Sequence, residues 1–358
     1  MVIKALSPVY GGYVISRADG IIFIRGALPE EIVEISITEK KKDYSVATVK
    51  NVIEPSPHRI EPLCPVFGTC GGCHFQFISY EKQVSMKEEV LIASLQRIGN
   101  IETPLECPLM IDKINILLKR IREKNLSGLK EMHISYGGTA TALIKPEALR
   151  DDIELSLIDM GFSGVSFENG ESVGRDYITL DLNGLSYTIT PWTFFQAHWD
   201  LNRKVVELVV NSLYPLEGMH VLDLYAGAGN FSLSVARHAA QVVAVEENPY
   251  AVEDGQRNAK LNNIENCKFV KTSAEKYKAH EKVDILLLDP PRPGLTDEVS
   301  KKILKFLPQR IVYVSCNPST FARDLKKLKD NYNIDSIRMI DFFPNTYHVE
   351  ALAFLSLK

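Results

Sequence analysis

From Leu185 to the carboxyl terminus, short apolar runs alternate with longer stretches of helical periodicity, and this alternation constrains the fold more than any other feature. Helix 201–213 precedes strand 220–224, helix 230–239 precedes strand 242–246, and helix 251–262 precedes strand 267–271. Strand 284–288, helix 297–306 and strand 310–315 follow. Strands bounded by helices in this order predict an α/β domain over 186–358, with a doubly wound, Rossmann-like parallel sheet. Ligands of such sheets bind beyond the carboxyl ends of the strands, so residues just after each run are the first candidates for function.

Two smaller regions precede it. Residues 1–58 hold β-rich runs at 9–17, 20–24, 31–40 and 44–53, split by turns such as Ala18-Asp19-Gly20. Short, closely spaced strands suggest an OB-like barrel, a frequent oligonucleotide platform. Pro55, Pro57 and Pro62 mark a linker. A small α+β central domain is expected over 59–185, with a helix at 79–98 capped by Ser79 and another at 111–124.

The chain has 358 residues, 45% hydrophobic and 24% charged, as a soluble protein with a sizeable core requires. It has no apolar run long enough to span a membrane, and its start lacks the apolar core of a signal peptide, so a cytoplasmic location is expected; the chain is also expected to be a monomer. The net charge of −4 argues only weakly against a nucleic-acid partner, because local patches matter more than the mean. Lys40-Lys41-Lys42, Lys119 with Arg120 and Arg122, and Lys301, Lys302 and Lys305 are such patches, each more often a solvated face than a binding site.

Between strand 220–224 and the helix after it runs Asp223-Leu224-Tyr225-Ala226-Gly227-Ala228-Gly229-Asn230. Gly227 and Gly229 let a ligand approach the backbone, and Glu246 at the next strand end can accept bonds from ribose hydroxyls. The dinucleotide fingerprint ends on a further glycine where this chain has Asn230-Phe231. With Asp289-Pro290-Pro291-Arg292 downstream, this favours S-adenosylmethionine over NAD.

Cys316 ends the run 311–315 and is followed by Asn317-Pro318. A thiol there is either core filler or a nucleophile. A methyltransferase needs its own thiol only for a poorly nucleophilic acceptor carbon such as pyrimidine C5. Glu350, in Thr346-Tyr347-His348-Val349-Glu350, is then a candidate base. Cys267 opens an ordinary strand and reads as core. The remaining cysteines, Cys64, Cys70, Cys73 and Cys107, cluster as metal ligands do in a reducing compartment. Their spacing suits structural zinc or a 4Fe–4S cluster, with zinc the commoner case.

Taken together, Cys64 to Cys73, Phe194-Phe195-Gln196, Asp289-Pro290-Pro291-Arg292, Ser315-Cys316-Asn317-Pro318 and His348-Val349-Glu350 resemble the RNA uracil-5-methyltransferase family, along the whole chain. The resemblance implies methyl transfer from S-adenosylmethionine to uridine C5 in tRNA or rRNA, and reads the first barrel as a TRAM domain. It implies Cys316 as nucleophile and Glu350 as base. Gln196, Tyr225, Gly227, Asn230, Glu246, Ser273 and Asp289 fall to the cofactor pocket, with Gln196 and Asp289 also near the uracil. It replaces zinc with a 4Fe–4S cluster on Cys64, Cys70, Cys73 and Cys107. The chain departs from the pattern in its short stretch before Cys107, which removes part of a region expected to touch RNA. A cytosine-5 methyltransferase is the nearest alternative, but its nucleophile lies much earlier in the domain. A non-catalytic RNA-binding iron–sulfur protein is the other. The barrel is expected to raise RNA affinity without setting chemistry.

Overall fold

The computed structural model describes residues 1–18, 20–65, 67–69, 71–99, 129–137, 139–146, 153–159, 161–196, 198–279 and 282–358. Cys70, Cys107 and the helix expected at 111–124 lie outside them.

Six strands form the amino-terminal sheet: β1 (Val2–Lys4), β2 (Pro8–Val9), β3 (Tyr13–Ala18), β4 (Gly20–Arg25), β5 (Ile32–Lys40) and β6 (Tyr44–Glu54), in the order β1-β5-β6-β4-β3-β2. The first nine residues pair on both sides. Val2 to Lys4 lie against β5, while Leu6 N–H donates to Ile15 O at 2.8 Å and Ile15 N–H to Ser7 O at 2.9 Å. One stretch thus bridges both edges and closes a small barrel, leaving few strand edges open. Its core of Ile3, Val14, Ile24, Leu28 and Val33 also takes in Phe75, Phe77 and Met86. The barrel is therefore packed onto the segment that follows Cys73.

The helix Tyr80–Ser94 starts where expected, but Ser79 makes no side-chain cap; its hydroxyl lies 3.3 Å from His58 Nδ1 instead. Leu91 and Leu95 reach the core of the carboxyl-terminal sheet. In the central region β7 (Leu129–Gly137), β8 (Thr139–Pro146), β9 (Phe162–Phe167) and β10 (Ser172–Gly174) form a sheet in the order β10-β9-β8-β7, with a helix at Ile153–Asp159. A hairpin follows, β11 (Ile178–Leu182) and β12 (Leu185–Ile189), whose inward side chains Ile178, Leu180, Tyr187 and Ile189 belong to the carboxyl-terminal core. The expected boundary at 185/186 runs through this hairpin.

The main sheet comprises β13 (His220–Leu224), β14 (Gln241–Glu246), β15 (Cys267–Lys271), β16 (Ile285–Leu288), β17 (Arg310–Ser315), β18 (Tyr332–Ile340) and β19 (Glu350–Leu357), ordered β15-β14-β13-β16-β17-β19-β18. Along the central strands, side chains alternate between two cores. Val221, Ile285, Leu287, Val312 and Val314 face one layer of helices; Leu222, Leu286, Leu288, Ile311 and Tyr313 face the other. Burial on both faces explains why these strands read as unbroken apolar runs. The sheet is not wholly parallel: β19 inserts antiparallel between β17 and β18. That reversal brings the last strand's first residue to the carboxyl end of its neighbours. No helix among the described residues is long and apolar enough to cross a membrane.

Candidate active site

The turn after β13 is shaped for a ligand. Tyr225 is left-handed (φ 67°), an uncommon conformation for a residue with a side chain, and Gly227 and Gly229 follow at φ 53° and 90°. Tyr225 and Ala226 both donate backbone N–H bonds to Val245 O at 3.0 Å. A Cβ on Gly227 would meet nothing within 4 Å, leaving open space over the turn, whereas one on Gly229 would strike Leu233 and Phe269 at 2.9 Å. Glu246 ends β14 and accepts from Gly227 N–H at 3.0 Å through Oε2, and from Glu247 and Asn248 N–H through Oε1. Asn230 is paired side chain to side chain with Asn202, at 2.8 and 3.1 Å. Asp223 is buried and bonded by the Ser232 hydroxyl, which ties β13 to the next helix; burial pushes its carboxyl up to about 7.

Three carboxyl groups, Asp223, Glu246 and Asp289, thus stand around this turn. Burial raises Asp289 to about 7 as well. Carboxyl oxygens placed here can accept from ribose hydroxyls, and such a lining disfavours a pyrophosphate. Gln196 lies buried in the loop after β12, and its Oε1 has no hydrogen-bond partner among the described residues, a group that calls for a ligand or water. These residues fit S-adenosylmethionine. Ser273 sits two residues beyond β15, where its carbonyl accepts from Lys276 and Tyr277 N–H. Lys302 donates to the carbonyls of Ala274, Glu275 and Tyr277, so this lysine of the 301–305 patch is engaged within the fold.

The nucleophile candidate lies two strands away. Ser315 of β17 pairs with Ala351 of β19, and the antiparallel register carried one step further sets Cys316 opposite Glu350. Burial raises the Cys316 thiol first; the neighbouring Glu350 and Asp289 raise it further, and the Arg292 guanidinium opposes them. Glu350 is 5% exposed. Burial and then Asp289 push its carboxyl up to about 8. Asn317 caps the helix Pro318–Leu328 through Ser319 N–H at 3.0 Å and donates Nδ2–H to Arg292 O at 3.2 Å. Thr320 Oγ reaches the same carbonyl at 3.2 Å, and Arg323 binds Pro293 O and Leu295 O. The loops bearing Asp289 and Cys316 are therefore stitched together. Cys267 behaves as core: half-buried, with its thiol pushed up to about 12.

The strap 341–349 that leads into Glu350 is held by the segment after Cys73. His74 and Phe75 donate N–H bonds to Asn345 O, at 2.8 and 2.9 Å. Gln83 and Asn345 exchange two bonds, at 2.9 and 2.8 Å. Lys87, 2% exposed, donates to the buried Asp341 at 2.6 Å and to Phe343 O at 3.0 Å. Removing one partner of such a pair strands a buried charge, so Lys87→Met is expected to cost about 3–5 kcal/mol. A urea-unfolding midpoint equal to that of the parent chain would show the pair to be dispensable.

Sequence reasoning missed what the barrel contributes. Tyr10, in the β2–β3 turn, donates its hydroxyl to Cys316 O at 3.5 Å and packs edge-to-face on Tyr347 with centroids 5.9 Å apart. Tyr347 in turn touches His74 and His348, at 4.6 and 4.5 Å. Only the Tyr10-Gly11-Gly12 turn hinted at this, since paired glycines beside an aromatic permit a close approach.

Cys64 and Cys73 are free thiols, and a Cβ on Gly68 or Gly71 in the loop between them would meet nothing within 4 Å. Such donors suit a soft, sulfur-ligated group. Among the described residues, no three His, Cys, Asp or Glu side chains are gathered to hold a metal ion.

The tRNA (uracil-5-)-methyltransferase family matches residues 144–284 and 278–358. The chain belongs to this family. As an RNA uracil-5-methyltransferase it is 33% identical to an uncharacterized RNA methyltransferase of Aquifex aeolicus, covering 98% of this chain and 97% of that one. The alignment runs over 413 positions, more than this chain's length, so that relative carries residues absent here. It is 31% identical to the 23S rRNA (uracil(1939)-C(5))-methyltransferase RlmD of Aeromonas hydrophila, over 94% and 91% of the two chains. The crystal structure of Pyrococcus abyssi tRNA (uracil-54, C5)-methyltransferase with S-adenosyl-L-homocysteine has the same fold, with a TM-score of 0.74 over 99% of both chains at 24% identity.

Proposed function

We propose that this RNA uracil-5-methyltransferase works through a covalent adduct of Cys316 with C6 of a uridine in structured RNA, and that Glu350 removes the C5 proton. The observation that carries this reading is the β17–β19 register, whose last pair, Ser315 with Ala351, leaves Cys316 and the buried Glu350 as the next residues on the two strands.

The Cys316 thiolate forms a bond to C6, and the ring's electron pair moves toward C5 and O4 as an enolate. S-adenosylmethionine, when bound, would supply the electrophilic methyl group to C5, its sulfur–methyl bond breaking to leave S-adenosylhomocysteine. Glu350 then takes the C5 proton, the C5–C6 double bond re-forms, and Cys316 leaves as thiolate. Gln196, Tyr225, Gly227, Asn230, Glu246, Ser273 and Asp289 hold the cofactor in this scheme, and Arg292 favours the thiolate. Phe194, 72% exposed two residues before Gln196, offers a ring on which a base can stack. Residues 1–58 serve as an RNA-binding, TRAM-like barrel. The hairpin at 178–189 goes with the methyl-transfer unit, and the chain acts as a cytoplasmic monomer.

The direct test incubates the protein with S-adenosylmethionine and unmodified tRNA or rRNA transcripts, then analyses nucleosides by mass spectrometry. 5-Methyluridine in one of them supports the reading. 5-Methylcytidine would move it to the cytosine class, and no methylated base in either RNA would favour a binding protein.

A 4Fe–4S cluster on Cys64, Cys70, Cys73 and Cys107 is part of the same reading. Protein purified anaerobically is expected to be brown and to contain about four irons per chain. A colourless protein holding one zinc would restore the structural-zinc assignment.

A further inference from the structure

We propose that Tyr10 of the amino-terminal barrel is a positioning residue of the methyl-transfer site, fixing the backbone of Cys316. The inference rests on Cys316 being the nucleophile.

Tyr10 and Cys316 lie 306 residues apart, yet the Tyr10 hydroxyl donates to the Cys316 carbonyl at 3.5 Å. Burial and then Cys316 itself raise the Tyr10 hydroxyl, while Arg292 opposes the rise, so the ring shares its surroundings with the thiol. The turn that delivers it is built for close approach. Gly11 and Gly12 have φ of 98° and 78°, and a Cβ on Gly12 would come within 3.1 Å of the Tyr347 ring. Tyr347 stands three residues before Glu350, and its edge-to-face contact links the barrel turn to the strap that ends on the base. A small cavity beneath is lined by Pro8, Tyr10, Phe75, Met86, Tyr347 and Val349, where barrel, helix 80–94 and strap converge.

The chemistry has use for such a contact. Thiolate attack on C6 demands that Sγ stand over one face of the ring, and small misplacements near a reacting atom are costly. Cys316 is where β17 ends and the chain turns into the Asn317 cap, so its backbone is held from one side by the sheet. Tyr10 holds the other side. On this inference the barrel would serve the chemistry, a role beyond the RNA affinity expected of it from the sequence.

The test uses the full-length protein and 5-fluorouridine-substituted tRNA and 23S rRNA fragments, keeping whichever the parent protein traps covalently. At saturating RNA, Tyr10→Ala is expected to slow adduct formation at least tenfold. Tyr10→Phe, which keeps the ring and loses the bond, should slow it a few fold. Both should bind RNA and S-adenosylmethionine within about threefold of the parent and unfold at the same temperature. Adduct formation at the parent rate in both variants would overturn the inference, as would a defect that disappears at saturating RNA. A parent protein that traps neither RNA would instead sink the covalent reading, and this inference with it.

Discussion

Cys316→Ala is expected to abolish methylation, with turnover down by about a thousandfold or more, while S-adenosylmethionine binds within a few fold of the parent affinity. The two effects separate because the sheet separates the sites. The turn proposed to hold the cofactor is built on β13 and β14, by Tyr225, Gly227 and Glu246. Cys316 stands at the end of β17, with β16 between. Without the thiol, uracil C5 has no activated form, so the bound methyl donor meets a weak nucleophile. Cys316→Ser is expected to fail almost as completely, since a hydroxyl is far harder to ionise than a thiol. Calorimetry with S-adenosylhomocysteine and single-turnover methylation decide the matter together. Methylation at the parent rate in the alanine variant would sink the covalent mechanism.

Much of this site is readable in the sequence because parallel strands deliver their next residue to one edge. Asp289, Glu246 and Cys316 each follow or end an unbroken apolar run, and such runs are easy to find when both faces are buried. β18 and β19 are harder. Tyr332–Ile340 mixes buried and exposed positions around an irregularity near Ser336, so its period is blurred. The helix Pro318–Leu328 is hidden because its Asn-Pro start doubles as the motif after Cys316. The antiparallel insertion of β19, which brings Glu350 to Cys316, leaves no local trace. Nor does the Tyr10 contact, which depends on the barrel's docking. The buried Lys87–Asp341 pair is likewise a long-range product, joining residues 254 apart. The sequence therefore speaks for residues placed by their own strand, and is silent on those placed by another unit.

The second large effect concerns release. Glu350→Gln is expected to leave attack intact and block resolution, so that protein–RNA adduct accumulates on ordinary uridine RNA in the presence of S-adenosylmethionine. An amide cannot take the C5 proton, and without its loss the C5–C6 double bond cannot re-form to expel sulfur. Attack should be no slower than in the parent, because the like charge of Glu350 is one cause of the raised Cys316 thiol and the amide removes it. The raised carboxyl adds a pH signature. In the parent, resolution needs the carboxylate and should quicken as pH rises through about 8. The same shift has an opposite effect on stability. The unfolded chain releases this proton in the ordinary carboxylate range and the folded chain holds it to about 8, so between those values folding takes up a proton and stability falls as pH rises. Glu350→Gln removes that slope, so its unfolding midpoint should gain on the parent's as pH rises from the ordinary carboxylate range to about 8. A denaturing gel without adduct, with turnover lost, would mean that Glu350 acts before or during attack. A variant that turns over normally would mean that another group takes the proton.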